Sequence, residues 1–417
     1  MSNQELTINN LIYTIPANST LAVSRNDQKN YFDQRNYSAG QTIRCVFQTG
    51  SKYVNPFDSQ LVFTAVVSDE AGATASWAKG SAINVIKNVR VYHKNGTELV
   101  NIQNQNVNQL IEDKASKSKA YFDSVGNLAG YDATNSISGM GTGSSAWRAD
   151  LVVGGQTEVQ IPLSQVAPIF NPEKKLLMPN VLASGLILEI DLATSAECML
   201  RTGGAANVEL TIKDIYLNLS CTSLSDMAMG SLNDIAAEKL LEYSYVDTYT
   251  SRITQNANNS VVSTSINKAV AQADHISVVE INQQDLNSQT SDEFSFNSDN
   301  VSYQFTVGSQ QLPSLVFIDG LRQGYAQLLK TYNKYNGSNE YAALGYFNYA
   351  GYVCAKTTSF SKDQMLAMAS LPINSSRSLR YEQKYNAGAP ALPRTIYIFL
   401  HYLKVLSLSL SDVKVDL

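Results

Sequence analysis

The sequence predicts an all-β protein built from two consecutive β-sandwiches, and three observations support this fold class. Alternation of apolar and polar residues, which is typical of half-buried strands, recurs from one end of the chain to the other. Two long alternating segments with a change of parity lie about half a chain apart. The length of 417 residues also exceeds the ~250–300 residues at which a single core usually stops growing.

Several strands are expected in the first half. Alternating runs cover residues 43–47, 61–67 and 159–163. The segment 88–102 places Asn95-Gly96 between two apolar runs, and this dipeptide tolerates the positive φ angles of a type I′ turn, so we expect a tight hairpin. A further regular strand, LILEIDL, follows Ser184-Gly185.

Two segments are predicted to be long, bent strands. In the first, apolar residues at 208–212 change parity after Lys213-Asp214 and continue at 215–219, which indicates a bulge. In the second, the apolar run 396–410 changes parity after Ser411-Asp412 and continues at 413–417. Their similarity suggests that the chain contains two similar units.

A helix is predicted between these units. The segment SLNDIAAEKLLEY has an apolar stripe at helical spacing, and Ser231 with Asp234 forms a possible capping box. We therefore expect an N-terminal unit with an N-terminal arm over 1–230, a linker helix over 231–244 and a C-terminal unit over 245–417. Later strands are predicted at 261–266, 275–281 and 301–307, and short helices at 106–114, 324–331 and 362–369.

Composition limits the possible functions. Hydrophobic residues make up 44% of the chain and charged residues only 16%, against ~25% charge in an average soluble domain. Such a weakly charged surface suits a protein that packs against its own copies. The net charge of −5 argues against general nucleic-acid binding, which needs a basic face. The N-terminal MSNQELTINN does not resemble an export signal, and no apolar stretch approaches the length of a membrane span, so a soluble product is expected.

Residues suited to catalysis or metal binding are few, and we predict no catalytic, cofactor or metal site. His93, His275 and His401 each have a strand or hairpin context that favours a structural role over acid–base catalysis. The widely spaced cysteines form no C-x-x-C pair, so buried thiols are expected at Cys45, Cys198, Cys221 and Cys354.

Other polar groups also favour structural interpretations. Glu189 and Asp191 share one strand face and are better explained as a solvated or intersubunit face than as paired glycosidase carboxylates. An acidic loop with no EF-hand spacing contains Asp292, Glu293 and Asp299. The glycines at 139, 141 and 143 lack the strand-to-helix junction of a phosphate cradle.

A tyrosine-dense region could in principle stack single-stranded nucleic acid, but Lys330 and Lys334 are its only basic companions. Core packing or a protein interface is the preferred interpretation. The region comprises Tyr325, Tyr332, Tyr335, Tyr341, Tyr346, Tyr349 and Tyr352.

The chain resembles the major capsid proteins of the double jelly-roll lineage of DNA viruses, particularly those of polinton-like viruses and virophages. The resemblance is carried in the first half by GSAINVIKNVRVYHKNGTELVNIQNQNVNQL and LMPNVLASGLILEIDLA. In the second half it is carried by YQFTVGSQQLPS, SRSLRYE and IYIFLHYLKVLSLSL.

This resemblance implies two eight-stranded jelly rolls side by side, with a few short helices in the connections. It also implies a homotrimer of roughly hexagonal outline that tiles an icosahedral capsid through trimer–trimer contacts. Penton and minor capsid proteins are the further partners implied, and the virion, assembled inside the host cell, is the location. An inner membrane would be involved only indirectly.

Two other functions remain open at this stage. A carbohydrate-binding or receptor-binding jelly-roll protein, such as a lectin or spike, would use exposed aromatic side chains or a calcium loop. A jelly-roll glycoside hydrolase would need two carboxylates about 5–9 Å apart in an open groove.

Overall fold

The computed structural model describes residues 22–68, 73–122, 124–131, 154–173, 177–203, 207–238, 241–289, 301–313, 317–335, 346, 349, 355–360, 371–385, 390–409 and 413–416. Strands dominate these residues, and most of the helices are single turns. Within the same residues, no helix combines the length and the apolar character needed to cross a bilayer.

The strands are β1 (Ala22–Tyr31), β2 (Tyr37–Ser38), β3 (Thr42–Val46), β4 (Tyr53–Val67), β5 (Ala73–Trp77), β6 (Ile86–His93), β7 (Glu98–Ile102), β8 (Gln156–Pro162), β9 (Leu186–Leu192), β10 (Met199–Gly203), β11 (Leu210–Leu224), β12 (Leu241–Gln255), β13 (Val261–Ile266), β14 (Val270–Asn282), β15 (Val301–Val307), β16 (Gln310–Leu312), β17 (Ile318–Asp319), β18 (Lys356–Ser359), β19 (Leu371–Ile373), β20 (Leu379–Tyr385), β21 (Arg394–Leu408) and β22 (Val413–Asp416). The longer helices are α1 (Gln105–Ser116), α2 (Asp226–Glu238) and α3 (Gly320–Thr331). Short helical turns cover Ala78–Gly80, Ala82–Val85, Lys119–Phe122, Val125–Leu128, Leu163–Val166, Pro168–Phe170, Asn180–Ala183, Ser195–Cys198 and Gln283–Asp285.

Two antiparallel sheets form a sandwich in the first half. One has the strand order β1-β11-β4-β8, with β2 beside β11, and the other has the order β3-β9-β6-β7. Their facing side chains form one core, which includes Phe63 and Leu217 from the first sheet and Val89 and Leu188 from the second. A separate two-stranded ribbon pairs β5 with β10.

The second half repeats this arrangement. One sheet has the order β12-β21-β14-β18, extended by β19 at β14 and by β22 at β21, and the other has the order β13-β20-β15-β16, with β17 beside β15. The core between them includes Ile276 and Ile398 from the first sheet and Phe305 and Tyr381 from the second.

We count as main strands the eight in each half that form its two four-stranded sheets, which leaves out β2, β5, β10, β17, β19 and β22. These eight are connected in the same order in both halves. In both halves one sheet contains the first, eighth, third and sixth main strands in that order, and the other contains the second, seventh, fourth and fifth. Two four-stranded sheets linked in this way form a jelly roll. The predicted fold class, an all-β protein with two consecutive eight-stranded jelly rolls and short connecting helices, is confirmed.

The larger sheet of the second half is buried on both faces. Ile396, Ile398 and Leu400 of β21 pack into the core of the second sandwich, whereas Tyr397 and Phe399 join the core of the first. A strand covered on both faces needs apolar residues at successive positions, which explains the unbroken run IYIFL. The two sandwiches therefore share an apolar interface.

The helix near the midpoint differs from the predicted one over 231–244. α2 begins at Asp226 and ends at Glu238, and Tyr243 lies in β12. β12 pairs with β21 along its whole length, so long-range strand pairing overrides the helical spacing of the last predicted residues. The predicted helices at 106–114 and 324–331 lie within α1 and α3, and the one at 362–369 falls outside the described residues.

The predicted Asn95-Gly96 hairpin forms between β6 and β7. The predicted turn type is wrong, however, because a type I′ turn needs a positive φ at both of its central residues. Gly96 has a φ of 87°, while Asn95 is not among the described residues with positive φ. The His93 amide donates to the Thr97 carbonyl and the Gly96 amide donates to the His93 carbonyl, at 2.9 Å each.

The change of parity at Lys213-Asp214 is confirmed as a bulge. The register of β11 against β4 shifts between Lys213 and Tyr216, and Asp214 has a φ of 50°. The second parity change has a different structure. Instead of continuing a bent strand, β22 returns antiparallel to the end of β21, pairing Val413 with Leu408.

Gly185 allows β9 to begin close to the β6–β7 hairpin. A Cβ atom at this position would lie 2.6 Å from His93 Cδ2 and closer still to Nε2. His93 is buried, with Nε2 3.2 Å from the Val181 carbonyl, so it has little room to move.

Replacing Gly185 with alanine is expected to reduce the free energy of unfolding by about 1–3 kcal/mol, because the methyl group overpacks a filled site. Thermal unfolding of the purified chain, followed by circular dichroism, measures the effect. Ser184→Ala is the matched control at the neighbouring position. Equal midpoints for both variants and the unchanged chain would mean that the close approach does not constrain this turn.

Candidate functional site

The two sandwiches meet along a seam, in which β12 and β21 face the hairpin and the 165–173 segment of the first half. Tyrosine and threonine hydroxyls of β12 donate to first-half carbonyls: Tyr243 to Ile169 at 2.7 Å, Tyr245 to Leu99 at 2.6 Å and Thr250 to Gln103 at 2.8 Å. Lys404 donates to the Leu99 carbonyl and, at 3.1 Å, to Asp247. These polar contacts fix how one sandwich sits on the other.

A second contact along the seam uses a single glutamine. Gln289 accepts from the Val208 amide at 2.9 Å and donates to the carbonyls of Val208 at 2.7 Å and Ser195 at 3.1 Å. Its own carbonyl accepts from the Arg201 amide at 2.6 Å. One buried side chain from the second half therefore bonds to backbone groups of the first half. The two halves are thus connected by polar as well as apolar contacts.

Two of the three histidines come together in this seam with a carboxylate from the other half. His275 of β14 and His401 of β21 are cross-strand partners, and their rings stack with centroids 4.0 Å apart. Glu112 of α1 places Oε1 3.2 Å from His275 Nε2 and 3.4 Å from His401 Nε2. We call Glu112, His275 and His401 the seam cluster.

Hydrogen bonds from neighbouring residues orient the seam cluster. Asp274 Oδ2 lies 2.7 Å from His275 Nδ1, and Thr248 Oγ1 lies 3.1 Å from His401 Nδ1. The Tyr332 hydroxyl donates to Glu112 Oε1 at 2.5 Å.

The seam cluster has opposite effects on its two histidines. Burial alone would lower the pKa of His275, but the charge of Glu112 and the hydrogen bond to Asp274 raise it to about 10. Burial and the neighbouring charge of His275 lower the pKa of His401 to about 3. The pKa values of the two stacked rings are therefore shifted in opposite directions. Burial would raise the pKa of Glu112, but the two histidines lower it to about 2.

A cavity of about 260 Å³ adjoins the seam cluster and is lined by residues of both halves. Asp113 also lines it, and burial raises the pKa of this carboxyl to about 6. Three lining atoms are buried without a hydrogen-bond partner within the described part of the chain: Asn108 Oδ1, Gln165 Oε1 and His401 Nε2.

A second buried charged group lies inside the C-terminal sandwich. Glu280 of β14 is fully buried and pairs with Lys356 and with Arg394, the latter at 3.3 Å. It also accepts from the Tyr385 hydroxyl at 2.5 Å. Burial opposes ionisation, but the positive charge of Lys356, followed by these other contacts, lowers the pKa of Glu280. The group ties together strands from both sheets.

Glu189 and Asp191 lie together on the outer face of the β3-β9-β6 sheet. Arg90 bridges them, at 3.1 Å from Glu189 and 3.0 Å from Asp191. Thr42 and Asn88 also donate to Asp191, at 2.7 and 3.0 Å. Burial opposes the effect, but these hydrogen bonds and the charge of Arg90 lower the pKa of Asp191. The two carboxylates therefore form part of a cross-strand polar network.

The other residues singled out in the sequence are dispersed. His93 lies in the hairpin, and the predicted buried thiols are confirmed at Cys45, Cys198 and Cys221. The Tyr325 ring lies 5.4 Å from that of buried Tyr349. Outside the described residues lie Cys354, the glycines at 139, 141 and 143, Asp292, Glu293, Asp299, Tyr341 and Tyr352.

The seam cluster is not apparent from the sequence. His275 and His401 each look like one polar position in an apolar strand, which supports only the structural role predicted for them. The available signal was indirect: both lie in strands that become the third and eighth strands of a jelly roll, and these strands are neighbours. Neither the register nor the approach of α1 could be read from the sequence.

Comparison with known proteins gives a clear structural result. No protein-family model and no curated protein sequence matches the chain. Among solved structures, the Sputnik virophage structure is similar at a TM-score of 0.63 and 10% identity, over 97% of this chain and 90% of that one. The Faustovirus major capsid protein is similar at 0.62 and 9% identity, over 95% and 92%. The capsid model of the virus PBCV-1 is similar at 0.60 and 11% identity, over 97% and 99%.

These similarities span nearly the whole of each chain and include both sandwiches, so they concern the complete arrangement and not a single jelly roll. At about one residue in ten identical, the sequence itself contributes little to them. The chain therefore has the double jelly-roll fold of viral major capsid proteins.

Proposed function

We propose that this chain is the major capsid protein of a DNA virus and forms pseudo-hexameric homotrimers that tile the faces of an icosahedral capsid. The observation that carries the proposal is the pair of jelly rolls with identical strand order, joined along one continuous seam. Three copies of such a chain present six similar units around a threefold axis, and a roughly hexagonal tile fills a sheet with few distinct contacts.

The seam supports this role because a tile needs a fixed shape. Its apolar core and its buried hydrogen bonds hold the two sandwiches in one relative orientation. We propose that the N-terminal unit covers 1–230 and the C-terminal unit 245–417, with the boundary inside 231–244, where α2 ends and β12 begins. The role is structural and not enzymatic, and the protein is placed in the virion, where penton and minor capsid proteins are its further partners.

The trimer is expected to be obligate and to bury more than ~2,000 Å² of surface, as permanent assemblies do. Contacts between trimers are expected to be weaker, so that misplaced tiles detach and the shell gains its stability from many contacts.

Size-exclusion chromatography with light scattering tests the proposal. We expect a mass of three times the 45.6 kDa chain, and electron microscopy of the same fraction should show particles of hexagonal outline. A species that stays monomeric at high concentration would count against the tile. Binding of that monomer on a glycan array would favour the carbohydrate-binding or receptor-binding alternative.

A further inference from the structure

We propose that the cavity beside the seam cluster binds one divalent transition-metal ion of the zinc type. The ligands would be the Glu112 carboxylate and the Nε2 atoms of His275 and His401. The ion would join a helix of the first sandwich to two strands of the second. This inference goes beyond the proposed capsid role and does not depend on it.

The spacing of the ligand atoms supports this assignment. Nitrogen and oxygen ligands lie ~2.0–2.2 Å from zinc, so neighbouring ligands of a tetrahedral site are about 3.3–3.5 Å apart. Glu112 Oε1 is 3.2 Å from His275 Nε2 and 3.4 Å from His401 Nε2, and all three ligand atoms lie within 4.8 Å of one another. Two of the three ligand separations are therefore close to those of a zinc site.

One ring must turn for both imidazoles to share an ion. The rings are stacked with only 6° between their planes, and a metal ion lies close to the plane of each ring that binds it. His401 is the ring that turns at lower cost, because among the described residues Nδ1 contacts Thr248 and Nε2 has no hydrogen-bond partner. His275 is held on both sides, by Asp274 and Glu112.

The surrounding hydrogen bonds are those of a metal site. Metal-binding histidines usually donate their second ring N–H to a carboxylate or another oxygen, which fixes the tautomer and orients the ring. Asp274 occupies that position at His275 Nδ1, and Thr248 occupies it at His401 Nδ1. Because a metal-binding imidazole is neutral, His275 would release its Nε2 proton on binding, and both side chains could then present Nε2 to an ion beside Glu112.

The chemistry of the cavity indicates the class of ion and a place for water. Two imidazoles and one carboxylate suit zinc-type ions, whereas calcium takes six to eight oxygen ligands. With three protein ligands, the fourth position of a tetrahedral ion is open to water. Asn108 and Gln165 line the same cavity, and their Oδ1 and Oε1 atoms, which have no partner within the described residues, could receive hydrogen bonds from water there.

Zinc titration of the full-length protein, stripped with a chelator and dialysed, tests the proposal. We expect one zinc per chain by metal analysis and a higher thermal unfolding midpoint with zinc. His401→Gln and Glu112→Gln are expected to weaken binding by about 100-fold or more, because even residues behind the ligands contribute 10–100-fold. His93→Gln, which changes the histidine outside the cluster, should bind zinc like the unchanged chain.

Cobalt provides a test that needs no variant. With Co²⁺ in the unchanged chain, we expect the visible absorption of a four-coordinate nitrogen and oxygen site. A thiolate-to-cobalt charge-transfer band would instead place the ion at a cysteine and overturn the proposal. So would failure to bind zinc, unchanged affinity in folded His401→Gln and Glu112→Gln variants, or equal stabilisation by calcium. Zinc binding by a chain that remains monomeric would support this site and contradict the capsid role, so the two failures are distinguishable.

Discussion

Replacing Glu280 with glutamine is expected to reduce the free energy of unfolding by about 3–5 kcal/mol, because it leaves buried positive charge without its carboxylate. Lys356 and Arg394 are each less than a tenth exposed, and both pair with Glu280. The Tyr385 hydroxyl would also lose its charged acceptor. Chemical denaturation of the purified chain, with the midpoint and slope fitted together, measures the loss.

Glu242→Gln is the matched control for this change. Glu242 lies in β12 of the same sandwich but is exposed, and a surface substitution of this kind usually alters stability by no more than about 0.5 kcal/mol. If Glu280→Gln and Glu242→Gln unfold at the same denaturant concentration, the buried charges are neutralised in some way other than through Glu280.

Replacing Leu188 with aspartate is expected to prevent recovery of folded protein, and with it of the proposed trimer. Leu188 is fully buried in β9, between Cys45 of β3 and Val91 of β6. A carboxylate there would have to ionise in the core or stay protonated at a cost of several kcal/mol, out of a total stability of ~5–15 kcal/mol for a typical domain. Soluble yield and light-scattering mass report the result.

The neighbouring Ile187→Asp variant is the control for Leu188→Asp. Ile187 points to the opposite face of β9 and is only half-buried, so its substitution should leave a folded chain in the same oligomeric state as the unchanged protein. Normal trimers from Leu188→Asp, or equal loss from both variants, would contradict the inward assignment of Leu188.

The sequence predicts much of this fold because strand alternation is a local property. The predicted strands at 261–266 and 301–307 coincide with β13 and β15 residue for residue, and the bulge at Lys213-Asp214 was visible as a change of parity. Local patterns were weaker where pairing decides the outcome. α2 ends early because the residues after it pair with β21, which lies far away in the sequence. β22 pairs back onto the end of β21, and alternation alone does not distinguish this return from a continued strand.

The candidate site could not be predicted from the sequence for a similar reason. Glu112, His275 and His401 belong to three separate elements, and only the docking of one sandwich on the other brings them together. Glu280 presents the same difficulty, since its partners Lys356 and Arg394 lie in different strands. A polar residue within an apolar run signals that a partner exists but does not identify it.

The double burial of β21 has a consequence for how this molecule matures. If the first sandwich were unfolded, the second would expose Tyr397 and Phe399 to solvent, and a bare aromatic sheet face of this kind adheres to other chains. Neither half is therefore a self-sufficient building block, and we expect the polypeptide to mature as a single cooperative body. An incompletely folded copy would have the wrong outline as well as an adhesive face, and both defects would exclude it from the proposed capsid.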